Sequence, residues 1–79
     1  MRILRTYGLT PEQWEAMRAD QHNACAACHT PFDTTPHTDH CHTTQKVRGL
    51  LCRECNLTLG LVHDNPARLL SLVDYLACH

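Results

Sequence analysis

Four of the chain's six cysteines fall into two pairs, Cys25-Ala26-Ala27-Cys28 and Cys52-Arg53-Glu54-Cys55. Two thiolates that flank a tight two-residue turn can reach one ion, and two such knuckles supply the four sulfur ligands of a tetrahedral zinc site. A disulfide framework is the competing use of six cysteines. It needs an oxidising compartment, and Met1 to Tyr7 carries no apolar signal-peptide run, so zinc is the expected partner. A second group of chemically able residues lies between the knuckles, Asp39-His40-Cys41-His42, and Asn56 follows the last knuckle directly. Asp39 and Asn56 offer a carboxylate and an amide oxygen, hard ligands suited to Mg²⁺. His40 beside them has the titration range of a general base near neutral pH.

These residues need elements to hold them. Thr10-Pro11-Glu12-Gln13 reads as a helix start with a capping box and a proline in the first turn. The helix is expected over 10–22, with Leu9 and Trp14 spaced as a hydrophobic staple. The loop-forming stretch 29–36 leads to two extended segments, His37 to His42 and Lys46 to Leu51, joined by Thr43-Thr44-Gln45. Arg53 to Leu59 is expected to be a short helix stopped by Gly60. Asn65-Pro66 opens a last helix over 65–77, whose Leu69, Leu72, Val73 and Leu76 form an apolar stripe expected to pack on the rest of the domain. The fold class is therefore a small α+β domain stapled by zinc, a single unit over 1–79 with its core at 25–60.

Composition narrows the function classes. No apolar run approaches the ~20 residues of a membrane span, and 19% charged residues with a net charge of −1 do not describe a disordered chain. Six Arg and one Lys face eight acidic residues, so the chain has no overall electrostatic claim on nucleic acid. Any such contact must be local, through bound metal and a few cations. With one Trp, one Phe and two Tyr in 79 residues the apolar core is small, and a metal staple is what such a domain needs.

The residues resemble the recombination endonuclease VII branch of the HNH nucleases, also called ββα-metal or His-Me finger nucleases. The match runs through Tyr7-Gly8-Leu9-Thr10, the first knuckle, the Asp-His-x-His run, Lys46-Val47-Arg48-Gly49-Leu50-Leu51-Cys52, Cys55-Asn56 and Gly60. It ends in Asp64-Asn65-Pro66 and Tyr75-Leu76. The resemblance implies a ββα-metal unit with flanking helices and a metal-dependent DNA endonuclease. It assigns structural zinc to Cys25, Cys28, Cys52 and Cys55, and a catalytic Mg²⁺ or Mn²⁺ to Asp39 and Asn56. His40 is then the general base, and His42 a phosphate or metal-supporting group or a structural histidine. Lys46, Arg48 and Arg53 are candidate phosphate contacts. The setting it implies is the cytoplasm of a bacterial or phage-infected cell, with DNA as partner and no membrane.

Two departures set further expectations. Cys41 stands where such nucleases often have a second Asp, and on a regular strand it would point away from His40 and His42. The resemblance implies that larger members dimerise through a long helical extension, whereas this sequence has almost nothing after its last expected helix, so a monomer is expected to nick one strand at a time. Targeting is expected to come from a partner protein or a particular DNA shape, and a homodimer or a larger partner protein is the candidate assembly. A regular strand would also turn Asp39 and His40 to opposite faces, so the assignment requires a bend or bulge between them. The rival functions are a non-catalytic zinc-ribbon binding module and an RNA-directed nuclease. His22, His29, His37, His63 and His79 are read as surface histidines, and Cys78 as a helix-end residue.

Overall fold

The computed structural model describes residues 9–79. Tyr7-Gly8 and the leading segment before them therefore lie outside the described residues. Three helices and one two-stranded sheet follow in the order α1 (Pro11–Asp20), β1 (His37–His40), β2 (Val47–Leu51), α2 (Arg53–Leu61) and α3 (Pro66–Ala77).

Helix α1 begins as its sequence dictates. The Thr10 hydroxyl accepts from the Gln13 amide at 3.1 Å, and the Gln13 carboxamide accepts from the Thr10 amide at 2.9 Å. The helix stops at Asp20, two residues before the expected end, because His22 and Asn23 adopt left-handed φ of 57° and 55°. Arg18 donates to the Asn23 side chain at 2.6 Å across this turn.

β1 and β2 run antiparallel, with His37 opposite Leu51, Thr38 opposite Leu50 and Asp39 opposite Gly49. The register then slips between Asp39 and His40, whose partner is Val47, so Arg48 is the extra residue on β2. The irregularity falls between the two residues whose assignment to one site calls for a bend, and the facing strand carries the additional residue. β1 is shorter than expected. The Cys41 carbonyl already accepts from the Gln45 amide at 2.7 Å, and Gln45 takes φ 65°. Cys41 and His42 therefore belong to the connecting turn, not to a strand.

Helix α1 is fastened to the hairpin at both ends. Trp14 Nε1 donates to the Thr38 hydroxyl at 3.0 Å. The Gln21 carboxamide accepts from the Leu50 amide at 3.0 Å and donates to the Leu50 carbonyl at 2.9 Å, as a neighbouring strand would. Helix α2 packs across both strands. It runs through Gly60 to Leu61 instead of stopping at the glycine, and the chain breaks out only where His63 and Asp64 take φ of 55° and 56°. Asn, Asp and His adopt this left-handed region more readily than most residues, which lets two polar side chains end the helix.

The buried apolar set among the described residues is Cys25, Leu50, Leu51 and Val62. The apolar stripe of α3 does not join it. Leu72, Val73 and Leu76 are 46%, 58% and 71% exposed, against the expectation that this stripe packs on the domain. The helix itself forms because Asn65 caps it, accepting from the Ala67 and Arg68 amides at 3.0 and 3.3 Å. Local signals settle the helix; of the stripe Leu69 is half-buried, and the rest faces solvent.

Candidate metal and nuclease centre

The four knuckle cysteines converge. One ligand atom from each of Cys25, Cys28, Cys52 and Cys55 lies within 4.8 Å of all the others, and the Sγ atoms of Cys28 and Cys52 are 3.8 Å apart. A tetrahedron with Zn–S bonds of about 2.3 Å has sulfur–sulfur edges of about 3.8 Å, so the cluster can hold a structural zinc. All six cysteines are free of disulfides.

Each knuckle is built by backbone. The Cys25 amide donates to the Thr30 carbonyl and the His29 amide returns to the Cys25 carbonyl, both at 2.9 Å. The Cys25 sulfur accepts from the Ala27 and Cys28 amides at 3.4 and 3.5 Å. Cys52 is the N-cap of α2 and accepts from the Cys55 amide at 3.5 Å. Helix N-termini favour negative charge, so this position suits a thiolate. The Cys25 thiol feels burial, which raises its pKa, but backbone N–H donors outweigh it and bring the pKa down to about 6. Cys28 is also lowered, first by its hydrogen bond with the Thr30 side chain. Burial and the neighbouring sulfurs push Cys55 well up, and Cys52 is raised as well, although the backbone N–H of Cys55 pulls it the other way. Zinc is held by thiolates, so loading the cluster releases thiol protons.

The second constellation forms around Arg48. Its guanidinium grips Asp39 with both arms, Nε to Oδ2 at 2.6 Å and Nη2 to Oδ1 at 2.9 Å. Nη2 also reaches Asp64 Oδ2 at 3.3 Å, and the same oxygen lies 3.5 Å from His42 Nε2. The His42 ring is in turn 5.0 Å, centroid to centroid, from that of His40. A continuous chain of neighbours therefore runs Asp39, Arg48, Asp64, His42, His40. The hydrogen bonds it donates to Asp39 raise the Arg48 pKa further, so this cation is permanent.

Arg48, His42, His63, Asp64 and Cys41 border one open cleft of about 630 Å³. Cys41 therefore shares a cleft with His42 and does not turn away from it, because it lies past the end of β1. Its thiol is lowered to about 7, first by the Thr44 side chain and then by the Thr44 and Thr43 amides. Asn56 is half-buried in the first turn of α2, and its amide donates to the Cys52 carbonyl at 3.0 Å. The three cations do not gather. Lys46 is exposed in the connection just before β2, and Arg53 borders a separate cavity with Cys28, Phe32 and Cys52. Of the three, Arg48 alone reaches the constellation. Sequence reasoning gave no role to Asp64, which joins Arg48 to His42, and grouped His63 with the surface histidines although it borders the cleft. The Asp64-Asn65-Pro66 match was the available signal.

A profile of the family described as recombination endonuclease VII matches residues 1–78. The Gene 59 protein of Mycobacterium phage D29 is 40% identical over 78 residues, covering 95% of this chain and 47% of the relative. The Gene 59 protein of Mycobacterium phage L5 is 39% identical over 66 residues, covering 80% of this chain and 40% of the relative. The chain thus spans less than half the length of these curated relatives. No solved structure matched. Among the described residues no helix is long and apolar enough to cross a membrane.

Proposed function

The chain belongs to the recombination endonuclease VII family, and from that premise we propose that it is a divalent-metal-dependent DNA endonuclease of the HNH type. It nicks one strand at a time, leaves 5′-phosphate and 3′-hydroxyl ends, and works in the cytoplasm of a bacterial or phage-infected cell. The observation that carries this reading is the run of neighbours Asp39, Arg48, Asp64, His42 and His40, drawn from the hairpin and from the turn after α2, in a chain that also gathers four cysteine sulfurs.

In this reading the order β1, β2, α2 is a ββα-metal unit and the cysteine cluster holds its structural zinc. Asp39 and Asn56 would hold Mg²⁺ or Mn²⁺, since a carboxylate and an amide oxygen are a donor set that suits a hard cation. When bound, that ion supplies Lewis-acid stabilisation of charge on the phosphate and the departing 3′ oxygen. His40 accepts a proton from the attacking water as the new P–O bond forms. The P–O3′ bond breaks, and the leaving oxygen takes its proton from solvent. His42, held near Asp64, keeps its ring against that of His40 and limits where the base can point. Arg48 is the best-placed phosphate contact, and Lys46 and Arg53 are peripheral ones. Branched DNA is a candidate substrate.

One observation favours a non-catalytic zinc module. Arg48 already neutralises Asp39, a residue only 9% exposed. Supercoiled plasmid incubated with zinc-loaded protein separates the two. Conversion to open circle that requires Mg²⁺ or Mn²⁺ and disappears in His40→Ala supports the nuclease. Silence of a folded, zinc-loaded protein on plasmid and branched DNA supports the binding module, and cleavage of RNA alone supports an RNA-directed enzyme.

A further inference from the structure

We propose that Arg48 is an internal cation that occupies Asp39 until a divalent ion displaces it, with Asp64 as the place to which the guanidinium retreats. The proposal rests on the reading above that Asp39 is a ligand of the catalytic metal.

Three observations carry it. First, the register slip makes Arg48 the one β2 residue without a partner on β1, directly beside Asp39. The extra residue of a bulge is re-aimed relative to a regular strand, and here it meets both oxygens of one carboxylate. Second, the pair is unequally exposed. The Asp39 side chain is 11% exposed and that of Arg48 is 38%. A carboxylate this enclosed requires a positive partner, whereas a guanidinium near the surface can leave at modest cost. Third, the retreat is already in contact. Nη2 is 3.3 Å from Asp64 Oδ2 while it holds Asp39, so pivoting about that contact exchanges one carboxylate for another. Two cations on the oxygens of one carboxylate repel each other, and the doubly charged ion wins at sufficient concentration. The displaced guanidinium then faces the cleft that His42 and Asp64 border, where its paired donors suit a phosphate.

The consequence is a metal affinity lower than the ligands alone would give. Mn²⁺ binding to zinc-loaded protein, measured without DNA by titration calorimetry and by the paramagnetic resonance signal of unbound Mn²⁺, tests this. Arg48→Met removes the competitor and should tighten binding by about ten-fold or more, the scale of one hydrogen bond to a charged group. Arg48→Lys, which keeps a charge but not the fork, should fall between Met and wild type. Asp64→Asn takes away the retreat and should weaken binding. Unchanged or weaker Mn²⁺ binding in both Arg48 variants overturns the proposal, and so does failure of both to retain zinc, which would make Arg48 a structural residue. Asp39→Asn separates the two levels. If it leaves Mn²⁺ binding intact, the assignment of metal to Asp39 fails. If it abolishes binding while Arg48→Met does not tighten it, only the competition fails.

Discussion

Replacing Gln21 by Ala should destabilise the protein far more than its place at a helix end suggests. Its carboxamide makes three hydrogen bonds, one accepted from the Leu50 amide and two donated to the Leu50 and Ala24 carbonyls. Leu50 is fully buried, so water cannot take over for its amide. The Leu50 carbonyl keeps a second donor, the Ala26 amide at 3.1 Å, and is not orphaned. The cost is then dominated by one unsatisfied buried N–H, about 1–3 kcal/mol. For a domain of this length each kcal/mol moves the Tm by about 4–8 °C, so a central value of about 2 kcal/mol predicts a fall of about 8–16 °C. Thermal melts should be followed by circular dichroism at fixed free zinc, because bound ligand shifts Tm by mass action. Glu15→Ala, on an exposed position of the same helix, serves as the control and should cost less than about 0.5 kcal/mol. A Gln21→Ala Tm within about 2 °C of wild type would refute the idea that this side chain completes the sheet edge.

Cys55→Ser should leave the protein without zinc by atomic emission and unfolded by far-ultraviolet circular dichroism, since zinc binding of about 10–16 kcal/mol exceeds what so small a core supplies. Because the thiolate is the nucleophile, alkylation of Cys41 in zinc-loaded protein should rise with pH and level off just above its lowered pKa of about 7. Thr44→Val should move that midpoint upward, toward the ordinary value of 9.0, and peptide mapping reads both rates. The double substitution Leu72→Gln with Leu76→Gln should change the Tm by less than about 4 °C, because both side chains face solvent. A large fall would restore the packed stripe that the sequence suggested.

What could be read from the sequence was local. The capping box at Thr10, the Asn65-Pro66 helix start and the two cysteine knuckles each rest on residues within a few positions, and each stands where expected. The helix stop is not legible because Gly60 is the usual signal, whereas the turn is made by His63 and Asp64, residue types that enter the left-handed region more readily than most but do not by themselves mark a stop. The bulge could be required from the chemistry of Asp39 and His40 but not assigned to a strand, since register is a property of two segments at once. The roles of Gln21 and Asp64 are hidden for the same reason. Their partners, Leu50 and Arg48, are 29 and 16 positions away, and nothing in the neighbouring sequence announces them. The solvent-facing stripe of α3 shows the limit of periodicity, which says that a helix has an apolar side and not what that side touches.

The attachment of α1 has a mechanical outcome. Trp14 holds Thr38 and Gln21 holds Leu50, and Thr38 and Leu50 are opposite one another. Two helical turns thus bridge the two ends of a single rung. A two-stranded ribbon in isolation slides easily, yet a shift of one step here would tear both fastenings at once. The helix is a crossbar that indexes the ladder, and Asp39 stands on the very next step.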